Sequence, residues 1–125
     1  MKFRKIEGDI RMKQQLKIAE LLKRIETSKQ QDIELGSYEI YVFSENELEK
    51  GQIGYRYDKH KNSLISEESG KWKEEWIVIG YETDMGDPVF VNVVDDAYLV
   101  YTAERGTETW QPVHIGNMDE IIKQL

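Results

Sequence analysis

Trp76-Ile-Val-Ile-Gly80-Tyr81 and, six residues on, Pro88-Val-Phe-Val-Asn-Val-Val94 form the stretch that decides the fold. Both runs are dense in β-branched and aromatic side chains, which suit a pleated, half-buried surface. Each is strand-length and too short to span a bilayer. Between them lies Glu82-Thr-Asp-Met-Gly-Asp87, where Gly86 can take the positive φ of a tight connection. The pair predicts a β-hairpin at the centre of an antiparallel sheet. Gly80, Gly86 and Gly106 are too scattered to cradle a phosphate, and backbone needs at turns or bulges explain them better.

Working outward, Asp95-Asp96 predicts a turn and Tyr98 to Thr102 a further strand. Trp110 to Ile115, with Pro112, predicts a last extended segment. Asn117-x-x-Glu120 is a capping pattern that opens a C-terminal helix to Leu125, with Ile121, Ile122 and Leu125 inward. Upstream, Tyr38 to Phe43 alternates as a strand, with Tyr38, Ile40 and Val42 on one face and Tyr41 and Phe43 on the other. Ser44-x-x-Glu47 predicts a short helix ending at Gly51. Ile53 to Tyr57 reads as another strand, Asp58 to Asn62 as a turn, and Ser63 to Ile65 as a return. The spacing of Ile18, Leu21, Leu22 and Ile25 predicts an amphipathic helix from about Asp9 or Ile10 to about Ser28, with Asp9 as N-cap. Helix, then mostly strands, then helix is an α+β order, since long helices do not alternate with the strands. The expectation is one domain over 1–125: a mostly antiparallel twisted sheet flanked by an N-terminal and a C-terminal helix.

A chain of 125 residues suits a single domain. Hydrophobic residues at 39% and charged residues at 33% describe a polar globular domain and not a disordered one. The absence of cysteine excludes a disulfide framework, a thiol nucleophile and thiolate metal sites, and it fits a reducing compartment. Met1 to Asp9 lacks the apolar run of a signal peptide, so the expected location is cytoplasmic, with no membrane partner. The formal charge of −7 is unevenly spread. Residues 1–30 carry nine Lys/Arg against four Asp/Glu, while residues 31–125 carry eight against twenty. Such an acidic body repels phosphate backbones, which argues against direct nucleic-acid binding, and attracts basic proteins. The surplus cations of the first helix fit a solvated face packed on a sheet better than a membrane-surface helix.

Catalytic signals are sparse. His60 and His114 have no companion in a metal-ligand spacing, and no nucleophile elbow, phosphate loop or dinucleotide fingerprint occurs. Glu82, Asp84 and Asp87 cluster in the hairpin loop, but without the regular spacing of a calcium loop. Asp87, just before Pro88, suits a role in holding the loop amides as an Asx turn does. Trp76 reads as core. Trp72, within Lys71-Trp-Lys-Glu-Glu, fits a surface or half-buried position, where Trp is a favoured binding anchor, and Trp110 is open to either role; composition alone favours structural roles for these aromatics. No enzyme, cofactor or metal is expected.

The segment from Trp76 to Trp110 resembles the SUKH superfamily, which joins bacterial immunity proteins to a yeast regulator of cell-wall synthesis. The resemblance is carried by Trp76-Ile-Val-Ile-Gly80, Gly86-Asp87-Pro88-Val-Phe-Val, Val100-Tyr101 and Gly106 through Trp110, in order and spacing. No proline precedes Pro88, where members often carry a Leu-Pro motif, and Arg105 stands where they tend to show His. The resemblance implies a non-catalytic protein that neutralises a cognate polymorphic toxin, commonly a nuclease, inside the producing cell. Nuclease domains are usually basic, which matches the acidic body. On this reading the partner-binding residues are Trp72, Glu82, Asp84, Asp87, Asp95, Asp96, Tyr98, Glu104 and Trp110. The alternative is a housekeeping protein–protein interaction module with no toxin partner. A third class, a metal-dependent domain using Glu82, Asp84 and Asp87, ranks far behind.

Overall fold

The computed structural model describes residues 16–104 and 109–125. Helix α1 (Leu16–Ser28) leads into strands β1 (Asp32–Leu35) and β2 (Tyr38–Val42), a short helix α2 (Glu45–Leu48) and a 3₁₀ turn (Lys50–Gln52). A long irregular segment precedes β3 (Trp76–Glu82), and β4 (Pro88–Asn92), β5 (Leu99–Thr102), β6 (Val113–Asn117) and helix α3 (Met118–Ile122) follow. The six strands lie in sequence order, each antiparallel to the next. The expected α+β architecture therefore holds, with the β3–β4 hairpin at the sheet's centre.

The sheet curls until the Leu35 side chain of β1 reaches β6 without the two edge strands pairing. A Cβ on Gly116 of β6 would lie 2.6 Å from Leu35 Cδ1 of β1. Its inner face packs on both helices through Ile18, Leu21, Leu22 and Ile25 of α1, Met118 and Ile121 of α3, and Ile33, Leu35, Ile40, Ile77, Ile79, Val89, Val91 and Val100. Each buried aliphatic side chain contributes roughly 1.5–3 kcal/mol of transfer free energy. The outer face carries a second, aromatic core: Trp72, Val78 and Phe90, with Tyr55, Trp76, Tyr101 and Trp110 packed around them. The segment between the 3₁₀ turn and β3 supplies Tyr55 and Trp72 to that core.

Several boundaries differ from the sequence expectation. Strand β1 falls in a polar stretch that carries no evident strand signal. It forms because Ile33 and Leu35 are buried while Asp32 and Glu34 face outward. The turn joining it to β2 has Gly36 at φ +63° in its first central position, which a side chain would resist. The strand expected over Ile53–Tyr57 does not form. Gly54 at φ +94° turns the chain, and only isolated bridges link Ile53 to Tyr57 and Tyr57 to Ser63. The last strand begins at Val113 and not at Trp110, which leaves the strand to pack on the aromatic core. Asp9 and Gly106 lie outside the described residues. The capping pattern at Asn117 holds: its side chain accepts from the Glu120 amide at 3.0 Å, and Glu120 accepts from the Asn117 amide at 2.9 Å. Gly80 sits at a β-bulge where the β3–β4 register shifts, and there β2 passes so close that a Cβ would lie 2.1 Å from the Tyr41 carbonyl oxygen.

Candidate partner-binding surface

The antiparallel order sends successive turns to opposite ends of the sheet. It therefore divides the expected acidic residues into two groups. Glu82, Asp84 and Asp87, at the β3–β4 turn, share one end with Glu104, which follows β5. Asp95, Asp96 and Tyr98, in the β4–β5 turn, lie at the other end. Between the groups runs the whole of β4, whose five residues span about 14 Å at roughly 3.4 Å per step. The residues expected to contact a partner therefore lie at two ends of the sheet.

At the β3–β4 end the loop is built around Glu82. Its side chain lies on the inner side of the sheet with only 4% exposure. One carboxylate oxygen accepts from the Asp84 and Met85 amides at 2.9 Å each, and the other accepts from Met85 at 3.1 Å and from Asp87 at 3.4 Å. The backbone adds Glu82 N–H to the Asp87 carbonyl and Gly86 N–H to the Glu82 carbonyl. The role of tying these amides, expected of Asp87, thus falls to Glu82. That placement corrects the assignment of Glu82 as a contact residue, because a buried carboxylate turned into its own loop presents nothing to a partner. It also removes Glu82 from any cation site. Among the described residues no group of three or more His, Asp or Glu stands in position to hold a metal ion.

On the same loop Met85 is 74% exposed, and Val113 at the start of β6 is 52% exposed. These two, with Tyr38, Asp87, Thr102, Ala103 and Glu104, line a depression of about 390 Å³. Asp84 is exposed on the same loop. Sequence reasoning missed Met85 and Val113. The available signal was a methionine in an otherwise polar turn.

The opposite end is organised by turn geometry. Asp95 Oδ1 accepts from the Ala97 amide at 3.0 Å, and Tyr98 N–H donates to the Asp95 carbonyl. Tyr98 holds φ +47°, an uncommon conformation for a bulky residue, and its carbonyl accepts from Met118 at the start of α3. Nearby, Lys17 pairs with Asp119 at 2.7 Å, and that contact raises the Lys17 ammonium above its usual range. The backbone of Tyr98 thus joins the turn to α3.

Trp72 corrects the surface expectation most clearly. Its indole is 1% exposed, donates to the Trp76 carbonyl at 3.0 Å, and packs at 4.6–5.3 Å centroid distances against Phe90, Trp76, Tyr55 and Trp110. Its place is in the outer core. The flanking charges that suggested exposure are accommodated at the segment's surface, where the Lys73 ammonium donates to the Ser66 and Glu68 carbonyls. Trp110 is half-buried beside it.

One titratable pair is clearly shifted. Tyr41 donates to Glu47 at 2.6 Å, and this bond together with burial pushes the phenol up to about 12. Burial raises Glu47, but hydrogen bonds from the Ser44 amide, the Tyr41 hydroxyl and the Gln31 amide outweigh it and hold the carboxyl below its usual range. The pair anchors α2 to β2, a structural role. Comparison of the chain with protein-family models, curated proteins and solved structures finds no match. Among the described residues no helix is long and apolar enough to cross a membrane.

Proposed function

We propose that this chain is a non-catalytic binding protein that neutralises a basic protein partner, and that the partner is a polymorphic toxin domain, most simply a nuclease. The observation that carries the reading is the disposition of charge. Residues 31–125 hold twenty carboxylates against eight cations. Of the described ones only Glu82 is buried, while Asp32, Glu34, Glu39, Asp84, Asp96 and Glu104 are exposed. A surface of this sign speeds encounter with a basic domain and disfavours nucleic acid. The SUKH resemblance supplies the more specific idea of toxin immunity.

The test is co-expression with the product of the adjacent gene. A neighbour that kills alone, is tolerated when this protein is present, and co-elutes with it supports the reading. A harmless neighbour, or separate elution, removes the toxin partner. The housekeeping interaction module then becomes the better account, since the same acidic surface would serve any basic partner.

A further inference from the structure

We infer that the exposed outer face of β1, β2 and β3 receives the basic partner, through an arginine whose guanidinium lies on the stacked rings of Tyr41 and Tyr81 and reaches the carboxylates of Asp32 and Glu39. This deepens the proposed function and rests on its assumption of a basic protein partner. The strand register makes the surface. Ile33, Leu35, Ile40 and Val42 point into the inner core, so Asp32, Glu34, Glu39 and Tyr41 alternate onto the outer face. Tyr41 lies between Asp32 of β1 and Tyr81 of β3. Its hydroxyl donates to Glu47 and accepts from Gln31 at 2.8 Å, which fixes the ring. Tyr81 stacks on that ring with centroids 5.3 Å apart and planes at 29°. The segment between the 3₁₀ turn and β3 packs around Val78 and Phe90, and Tyr81 beyond it is 39% exposed.

Carboxylates alone mark only a solvated face, but these are set against one another beside the tyrosines. Glu34 sits directly opposite Glu39. Gln124 binds the Glu34 N–H and carbonyl, and the Thr83 amide binds the Glu39 carbonyl. The two glutamates therefore form a non-hydrogen-bonded pair, with Cβ atoms roughly 4.5–5.5 Å apart, where like charges destabilise a sheet. Among the described residues the side chains of Asp32, Glu34 and Glu39 meet no cation and accept no hydrogen bond. A cation brought by a partner relieves that repulsion. Glu39 is diagonal to Tyr81 across β2 and β3, a spacing that long side chains bridge. Arginine suits this better than lysine, because its planar group stacks on a ring while its fork bonds carboxylates. The acidic residues at the ends of the sheet are less free. Asp87 and Glu104 have interactions of their own, and Asp95 and Asp119 are engaged by the Ala97 amide and Lys17.

The experiment titrates the full ¹⁵N-labelled chain with acetyl-Arg-Gly-Arg-Gly-Arg-amide and with its lysine counterpart, followed by amide chemical shifts. The expected result is saturable shifts centred on residues 32–34, 39–41 and 81–83, with the lysine peptide bound about threefold more weakly. Tyr81→Leu should bring the arginine peptide down to the lysine level, and Tyr81→Phe should keep it. Glu39→Gln should weaken binding about threefold while leaving the urea midpoint unchanged or higher, since it also removes the repulsion from Glu34. Shifts centred on 84–87 or 94–98, equal affinity for the two peptides, or undiminished binding by Tyr81→Leu in a dispersed spectrum would overturn the inference. A lowered urea midpoint for Glu39→Gln would overturn it as well. Failure of the two proposals is separable. If the neighbouring gene product is harmless but the peptide maps here, the surface stands without the toxin. If a toxin is neutralised and Glu39→Gln with Tyr81→Leu leaves co-elution intact, immunity stands without this surface.

Discussion

Replacing Gln52 by leucine removes a buried polar side chain on which the sheet depends. Gln52 is fully buried. Its Nε2 donates to the Val78 carbonyl at 2.7 Å and to the Leu48 carbonyl at 2.8 Å, and its Oε1 accepts from the Val78 amide at 2.9 Å. The β2–β3 ladder ends with Val42 opposite Gly80 and the Phe43 N–H on the Ile79 carbonyl, so at Val78 Gln52 stands in for the missing strand. Leucine keeps similar bulk and leaves Val78 with a buried donor and acceptor that lose this partner. At roughly 1–3 kcal/mol for each such group, the expected loss is about 2–6 kcal/mol. That is a large share of the roughly 5–15 kcal/mol that holds a domain together. Urea unfolding followed by tryptophan fluorescence suits the measurement, because Trp72 is buried. With a slope of ~2 kcal/mol/M, a 3 kcal/mol loss moves the midpoint down by ~1.5 M. Gln52→Glu keeps the acceptor but faces two carbonyls with a carboxylate, and should do at least as much damage. A loss below about 1 kcal/mol for Gln52→Leu, at unchanged slope, would refute the strand-substitute argument.

Gly80→Ala should cost at least ~2 kcal/mol in the same assay, because the new methyl meets the Tyr41 carbonyl at 2.1 Å and the strands must part. Tyr41 predicts an alkaline effect. Its folded value of about 12 exceeds the usual 10, so the stability it brings is complete below pH 10 and drains between pH 10 and about 12. Tyr41→Phe should abolish that step when urea midpoints are compared across this range. Glu47 works in the opposite sense: its depressed carboxyl contributes above its ordinary value near 4.5, and that contribution fades as pH falls below it. Glu47→Gln should therefore flatten the acid limb of the stability profile. Glu82→Ala should speed hydrogen exchange at the Asp84 and Met85 amides by about tenfold or more while leaving β2 amides unchanged, since the carboxylate ties the loop and not the sheet.

What could be read from the chain was what periodicity and capping encode. The β3–β4 hairpin, β2 and the core side of α1 follow from alternation or helical spacing, and the start of α3 from a reciprocal cap at Asn117 and Glu120. Strand β1 escaped because four residues with two apolar positions give too short a pattern against acidic neighbours. Trp72 was misplaced because its neighbours in sequence are charged, whereas its neighbours in space are Phe90, Trp76 and Trp110. The acidic residues were legible as a population but not as a surface. Only β4 lies between the two acidic turns, which puts them at opposite ends, but the burial of Glu82 depends on which face of β3 it takes, and the bulge before Gly80 that sets this face carries no sequence signal.

The same blindness applies to the glutamines, and it explains how a short chain manages a curled sheet. Gln52 completes β3 where β2 departs. Gln31 donates to the Val42 carbonyl at the end of β2 and also to Glu47. At the free edge of β1, Gln124 accepts from the Glu34 amide at 3.0 Å and donates to the Glu34 carbonyl, while Gln30 donates to the Asp32 carbonyl. A primary amide offers a donor and an acceptor side by side, as a peptide group does, but reaches them from another element. It can therefore pair with strand backbone where no strand runs. An exposed sheet edge invites other chains, and this device occupies part of that edge without adding charge to a body already carrying many carboxylates. Substituting Gln124 by Ala should leave the monomer nearly as stable, since an exposed hydrogen bond contributes about 1 kcal/mol or less. It should instead uncover the Glu34 backbone groups and increase self-association in concentration-dependent light scattering. That separation of edge protection from stability is what distinguishes a strand substitute from an ordinary surface contact.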